Sequence, residues 1–167
     1  MAARGGAAAP PPLPPAAELA AWRRDLLRWY GAARRALPWR ERPSLYGTWV
    51  SEIMLQQTTV AAVVPYWERF LARFPRVEDL AAASEEEVLA SWAGLGYYRR
   101  ARALHAAARH LVAREGGRLP ASCGQWRQLP GIGSYAAGAI ASIGLGEPDA
   151  AASSARAESA AAWHGVA

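Results

Sequence analysis

The sequence predicts an all-α fold, and three observations carry that expectation. Apolar residues recur at helical spacing along most of the 167 residues, and no stretch alternates long enough to make a strand. Helix punctuation is frequent: Ser84-Glu-Glu-Glu87 reads as a capping box, and Gly94-Leu-Gly96 and Gly116-Gly117 read as breaks. Finally, Leu129-Pro-Gly-Ile-Gly-Ser-Tyr135 sets two glycines around one apolar residue between two helical patterns. That arrangement makes a hairpin whose backbone can come very close to a ligand.

Residues 1–15 are almost all Ala, Gly and Pro and cannot bury enough surface to offset ordering, so a disordered leader is expected there. The run from Pro10 to Pro15 has PxxP spacing, but a solvated linker of polyproline character accounts for it. A first helix is expected over 16–34, with Leu19, Trp22, Leu26, Leu27 and Tyr30 on one face. Leu37-Pro-Trp-Arg40 should form a rigid non-helical corner. A second helix over 46–59 is apolar apart from Ser51, Glu52, Gln56 and Gln57, and a third over 61–74 is ended by Pro75. The capping box opens a short helix through Trp92, and a long basic helix follows over 97–115. A helix over 122–129 leads into the hairpin, and one starting at the N-cap Ser134 and running to 145 completes it. The chain thus divides into a leader (1–15), a first helix and corner (16–43), a helical module (44–148) with its hairpin at 122–146, and an Ala-rich tail (149–167) with no face to pack.

Composition narrows the function. With 52% hydrophobic and 20% charged residues a real core is available, and a net charge of +5 points to nucleic-acid phosphate as partner. Cys123 is the sole cysteine, which excludes a disulfide framework and any multi-cysteine metal site within these residues. His105, His110 and His164 have no metal-ligand pairing, and a surface or groove position is expected for the first two. No run of about eighteen apolar residues exists to span a membrane. The leader lacks the apolar core of a secretory signal and resembles a mitochondrial presequence only weakly.

Three clusters bear chemistry. Glu52 lies among Trp49, Val50, Ile53, Met54 and Leu55. Such a carboxylate either meets an Arg or backbone partner or sits in a pocket where desolvation raises its pKa, as a general acid requires. Gln56, Gln57 and Thr58, one turn on, can hydrogen-bond base edges or cap the helix end. Gly94-Leu-Gly-Tyr-Tyr-Arg-Arg-Ala-Arg102 mixes rings and guanidiniums. It suits a nucleic-acid surface, or else core tyrosines with a solvated basic face. Gly131 and Gly133 can take positive φ, and the helix after them begins with unpartnered N–H groups fit for phosphate.

Four ordered motifs, Leu37-Pro-Trp-Arg40, Trp49-Val-Ser-Glu-Ile-Met-Leu-Gln-Gln-Thr58, Trp92-Ala-Gly-Leu-Gly-Tyr-Tyr98 and Leu129-Pro-Gly-Ile-Gly-Ser-Tyr135, closely resemble the adenine DNA glycosylases, the MutY family of the helix-hairpin-helix glycosylase superfamily. The resemblance covers roughly residues 19–148. It implies a six-helix module beside an incomplete second helical lobe, to which residues 16–43 would belong. It also implies a base-excision-repair activity: hydrolysis of the N-glycosidic bond of adenine mispaired with 8-oxoguanine or guanine, by a monomer acting on double-stranded DNA. Glu52 matches the acid that protonates adenine once the base is flipped out. Tyr135 matches a tyrosine that closes over the sugar, at a position where the endonuclease III group has a nucleophilic lysine; a phenol there argues for hydrolysis without strong β-lyase activity. Leu37, Trp39, Arg40 and Leu55 match the adenine-pocket lining. Gln57, Thr58 and Tyr97 match residues that enter the duplex, and Gly131, Ile132 and Gly133 match main-chain phosphate contacts.

The sequence also departs from that pattern. The family's aspartate that supports the developing sugar charge should fall near 153, where Ser153 stands. Asp149 is four residues away, a span above about 10 Å when extended. Loss of that charge should cost about 3–4 kcal/mol, or roughly 10²–10³ in rate. The four cysteines of the family's 4Fe–4S cluster are absent, so no cofactor is expected in this chain. A truncated enzyme with weak DNA binding and activity near background is therefore expected. Its compartment would be the nucleoid in a bacterium, or the nucleus or mitochondrion in a eukaryote. The alternatives are an endonuclease III-like glycosylase for oxidised pyrimidines, which Tyr135 and the Gln56-Gln57 pair oppose, and a non-catalytic DNA-binding fragment.

Overall fold

The computed structural model describes residues 14–147 and falls into two units, Met1–Ala36 and Leu37–Ala167. The tail expected over 149–167, Ser153 included, and most of the leader lie outside the described residues. Among the described residues of the first unit one helix, α1 (Ala16–Ala33), starts where the Pro15 carbonyl accepts the Glu18 and Leu19 amides at 2.9 and 3.1 Å. It buries none of its residues; Leu19, Trp22, Leu26, Leu27, Trp29 and Tyr30 are all exposed.

The second unit contains α2 (Pro38–Glu41), α3 (Leu45–Leu55), α4 (Val60–Arg73), α5 (Val77–Ala82), α6 (Glu85–Trp92), α7 (Arg99–Glu115), α8 (Cys123–Trp126), α9 (Ser134–Ile140) and a closing π-helical turn (Ala141–Leu145). No strand occurs among the described residues, as the periodicity predicts. The long helices fall close to their expected places, and the capping box is present. Ser84 Oγ accepts the Glu87 amide at 3.2 Å, and a Glu87 carboxylate oxygen accepts the Ser84 amide at 2.9 Å.

Several boundaries differ from expectation, each for a local reason. The corner at Leu37-Pro-Trp-Arg40 is a helical turn, because a proline at the first helical position gives up only an N–H that has no partner there anyway. Helix α5 is an addition; at six residues it is too short for periodicity to reveal. Its start is fixed by Asp79, whose carboxylate accepts the Arg76 amide and guanidinium at 2.9–3.1 Å and is thereby held below the usual carboxylate range. Helix α3 stops at Leu55 rather than 59, and α7 starts at Arg99 rather than 97, because Gln57 and Tyr97 take left-handed backbone angles (φ 58° and 49°). Helix α7 ends at left-handed Gly116, and the Gly117 amide returns to the Leu111 carbonyl at 3.2 Å. Helix α8 covers only four residues, and the N-cap of α9 is Gly133, with Ser134 already helical.

Tryptophans dominate the core of this unit: Trp49, Trp67, Trp92 and Trp126 are essentially inaccessible, packed with Phe70, Leu80, Leu104, Leu111 and Ile140. Trp49 and Trp126 meet at 5.3 Å between ring centroids, and Trp67 Nε1 donates to the Gly47 carbonyl at 2.9 Å. Helix α3 is buried along most of its length because α4, α7 and α9 all pack against it. His105 is buried on α7 with Nε2 unpartnered, not on the surface as expected, because its helical phase matches Ala101, Leu104 and Ala108; His110 is exposed.

Candidate active site

Helix α3 brings a half-buried Glu52 to within one turn of its own end. No hydrogen bond or ion pair reaches its carboxylate from the described residues, and burial pushes its pKa above the usual 4.5. Of the two readings open for this residue, a structural acid satisfied by an arginine and an unpartnered one with raised proton affinity, the geometry supports the second.

The end of α3 is closed by an arginine from α7. Arg100 Nη1 donates to the carbonyls of Ile53 (3.1 Å), Met54 (2.8 Å) and Gln56. Its Nη2 donates to Thr58 Oγ1 at 3.0 Å and to the Gly96 carbonyl at 3.3 Å. The Leu55 carbonyl accepts the Thr58 amide at 3.3 Å. Burial pushes the Arg100 guanidinium's pKa down, and this ring of acceptors offsets that cost.

Beside this closure runs an open groove of about 950 Å³. It is lined by Trp49, Ile53, Leu55, Gln56 and Gln57 from α3 and its exit, by Tyr97 to Leu104 in part, and by Pro130, Gly131 and Tyr135 from the hairpin. Tyr97, Tyr98 and Tyr135 are 59%, 42% and 64% exposed, so these rings form surface rather than core. Gln57 and Tyr97 are the two non-glycine residues with positive φ among the described residues, and both stand in this groove. Left-handed backbone at side chains of this size is uncommon and concentrates at functional sites.

Six sequence-predicted residues, Leu55, Gln56, Gln57, Tyr97, Gly131 and Tyr135, are thus brought together. Glu52 is not on the groove wall itself; it lies between Trp49 and Gln56 at the i, i+3, i+7 spacing that shares one helix face. Thr58 faces Arg100 instead. Leu37 is core, Trp39 stands edge-on to Trp67 at 5.8 Å, and Arg40 is exposed on α2, all three away from the groove lining. In the hairpin, Ile132 is buried and its amide donates to the Leu129 carbonyl at 3.3 Å, which leaves the Gly131 and Gly133 amides as free donors. The two glycines are not alike. Gly131 has φ +76° and a Cβ there would collide with Ala103 Cβ, whereas Gly133 has φ −80° and open space around it. Gly131→Ala should therefore lose about 1–3 kcal/mol in urea unfolding, and Gly133→Ala should stay within about 0.5 kcal/mol of the parent.

Sequence reasoning missed Arg100. It is one of three arginines in Arg99-Arg100-Ala-Arg102, and only helical phase separates it: positions 100, 101, 104, 108 and 111 are the buried stripe of α7. A smaller cavity of about 290 Å³, at the end of α7 and the approach to α8, contains none of the expected residues.

The residues present do not fit an iron–sulfur cluster. Cys123 is a lone, half-buried thiol, and no three His, Cys, Asp or Glu side chains among the described residues converge to hold a metal. No described helix is long and apolar enough to cross a membrane.

A family model described as HhH-GPD superfamily base excision DNA repair protein matches residues 50–161, which takes in all of the groove lining but Trp49 and both helices of the hairpin. Adenine DNA glycosylases of Rattus norvegicus and Homo sapiens are 48% identical over 136 and 140 residues, covering 76% and 78% of this chain. That of Buchnera aphidicola subsp. Baizongia pistaciae is 44% identical over 121 residues, or 72% of this chain. The chain spans 26% of the length of the two mammalian relatives and 34% of the bacterial one. Among solved structures, a thermostable thymine-DNA glycosylase superposes with a TM-score of 0.69 at 26% identity, covering 76% of this chain and 59% of its own. An endonuclease III from a non-covalent DNA complex reaches 0.65 at 19% identity, covering 81% and 63%, and shares the fold. By its motifs, its helical architecture and this match, the chain belongs to the HhH-GPD superfamily of base excision DNA repair proteins, and its curated relatives within it are adenine DNA glycosylases.

Proposed function

We propose that this chain carries the base-releasing module of an adenine DNA glycosylase, acting on adenine mispaired with 8-oxoguanine or guanine in double-stranded DNA. One observation carries the proposal: Glu52, half-buried and without a partner among the described residues, holds its proton above the usual carboxylate range on the helix face that runs into the groove. Adenine is a poor leaving group as an anion. A proton delivered to a ring nitrogen lets it leave neutral, and a carboxyl that is partly protonated near neutral pH can supply that proton.

The other residues position the reaction. The base must leave the stack to reach Glu52, and the exposed Tyr97 and Gln57 then fill the space it vacates. Tyr135, a phenol on the first turn of α9, packs over the sugar and offers no amine for Schiff-base chemistry. The free amides of Gly131 and Gly133 hold backbone phosphate, a contact that orients the strand without reading sequence. Leu55 supplies apolar wall to the groove, and α2 with Trp39 and Arg40 packs on α3 outside its lining.

Incubating protein in excess over a duplex with adenine opposite 8-oxoguanine, followed by alkaline strand scission, tests the proposal. Slow scission at the adenine is expected, faster than at an A·T pair; with Ser153 in place of the family's aspartate the rate should be reduced by roughly 10²–10³. Equal loss from both duplexes, or none, contradicts the proposal. Scission at an oxidised pyrimidine instead would favour the endonuclease III-like alternative.

A further inference from the structure

Gln57 and Tyr97 come from segments 40 residues apart in sequence, yet both are left-handed and both border one guanidinium. The acceptors of Arg100 bracket them closely: the Gln56 carbonyl and Thr58 Oγ1 stand on either side of Gln57, and the Gly96 carbonyl immediately precedes Tyr97. The guanidinium carbon also lies 5.3 Å from the Tyr97 ring centroid and 5.5 Å from that of Trp92, whose Nε1 donates to the same Gly96 carbonyl at 3.0 Å. Strained backbone of this kind persists only where its surroundings over-determine it. Here one side chain, Arg100, touches both segments, while Trp92 holds only the Gly96 side. If Arg100 were removed, the carbonyls of Ile53 and Met54 would lose their only side-chain donor among the described residues, and that of Gln56 would keep just Thr58 Oγ1.

We infer that Arg100 is a positioning residue that locks Gln57 and Tyr97 into their groove-facing left-handed conformations by bridging the end of α3 to the Gly96 turn. The inference rests on the proposed function only in taking the groove as the DNA-binding face. Arg100 is not itself a phosphate contact: it is 9% exposed, and both terminal nitrogens are already committed to protein acceptors. Its neighbour Arg99 is exposed on the groove and free for that role. Lysine is no substitute, because a single ammonium cannot serve acceptors spread across a planar fork.

The test uses the full chain with Arg100→Lys and Thr58→Val. In the free protein, Arg100→Lys should speed hydrogen exchange at the Thr58 amide, which donates to the Leu55 carbonyl, and at the amide of position 100, which donates to the Tyr97 carbonyl, by roughly tenfold or more while exchange in α4 stays unchanged. Unchanged exchange at those two amides, or uniform acceleration across all helices, overturns the inference. Duplex affinity should fall about tenfold with the dependence of log Kd on log salt unaltered, whereas Arg99→Gln should reduce that slope by about 0.9. A reduced slope in Arg100→Lys would make it a phosphate contact and also overturn the inference. If the parent chain binds no duplex at any salt, the proposed function fails, while hydrogen exchange still decides the role of Arg100. Should Arg100→Lys not fold, Thr58→Val decides: a smaller acceleration confined to the same amides supports the bridge, and parental exchange rates refute it.

Discussion

Glu52→Gln should abolish adenine release while making the folded chain more stable at neutral pH. The two effects share one cause. A general acid contributes about 10²–10⁴ in rate. Glutamine keeps the shape but has no transferable acidic proton, so single-turnover release should fall by at least about 10²-fold with duplex affinity within about twofold of the parent. The stability effect follows from linkage. Burial raises the Glu52 pKa above 4.5, so in the window between 4.5 and that higher value the folded state binds more protons than the unfolded one. Stability therefore falls as pH rises through this window and stays lower above it. Glutamine does not titrate, so the Tm advantage of the variant should be present at pH 7.5 and gone at pH 4. Thermal unfolding at both values checks this, and a parent that is the more stable at pH 7.5 would show that the carboxylate has a partner.

Trp92→Ala should cost about 3–5 kcal/mol, a large share of the total stability of a domain this size. Trp92 is fully buried and packs edge-on against Phe70 at 5.9 Å. Its Nε1 holds the Gly96 carbonyl, and its face underlies the Arg100 guanidinium. The truncation leaves a cavity and also frees the turn that carries Tyr97. Trp92→Phe separates these contributions: most of the packing returns, but the hydrogen bond to Gly96 does not. Its urea midpoint should lie between those of parent and alanine variant. A loss below about 1 kcal/mol for Trp92→Ala would mean that the core collapses around the gap.

The long helices were legible because fourteen or more residues of period 3.6 leave little ambiguity, as in α1, α4 and α7. Helices α2, α5 and α8, of four to six residues, are set by a proline, an Asp79 carboxylate and a Ser122 cap, and no periodic pattern develops over one turn. The site was legible where its chemistry is local. Glu52 stands out against its apolar neighbours, and Gly131 stands out because only glycine tolerates its backbone and its contact with Ala103. It was opaque where function depends on distant partners. Arg100 reads as one more cation in a basic run until the carbonyls 44–47 residues earlier are seen around it. For the same reason Gly133, alike in motif to Gly131, turns out to differ from it in backbone angle, and Ile132 between them has its amide bonded to Leu129.

The most direct measurement is an NMR titration of the Glu52 side-chain carboxyl carbon in the free chain, assigned by its loss in Glu52→Gln. A midpoint above 4.5 is expected, with no second inflection from a nearby acid or base. A midpoint at or below 4.5 would mean that the carboxylate is solvated or paired, and Glu52 could not then serve as the proton donor to adenine.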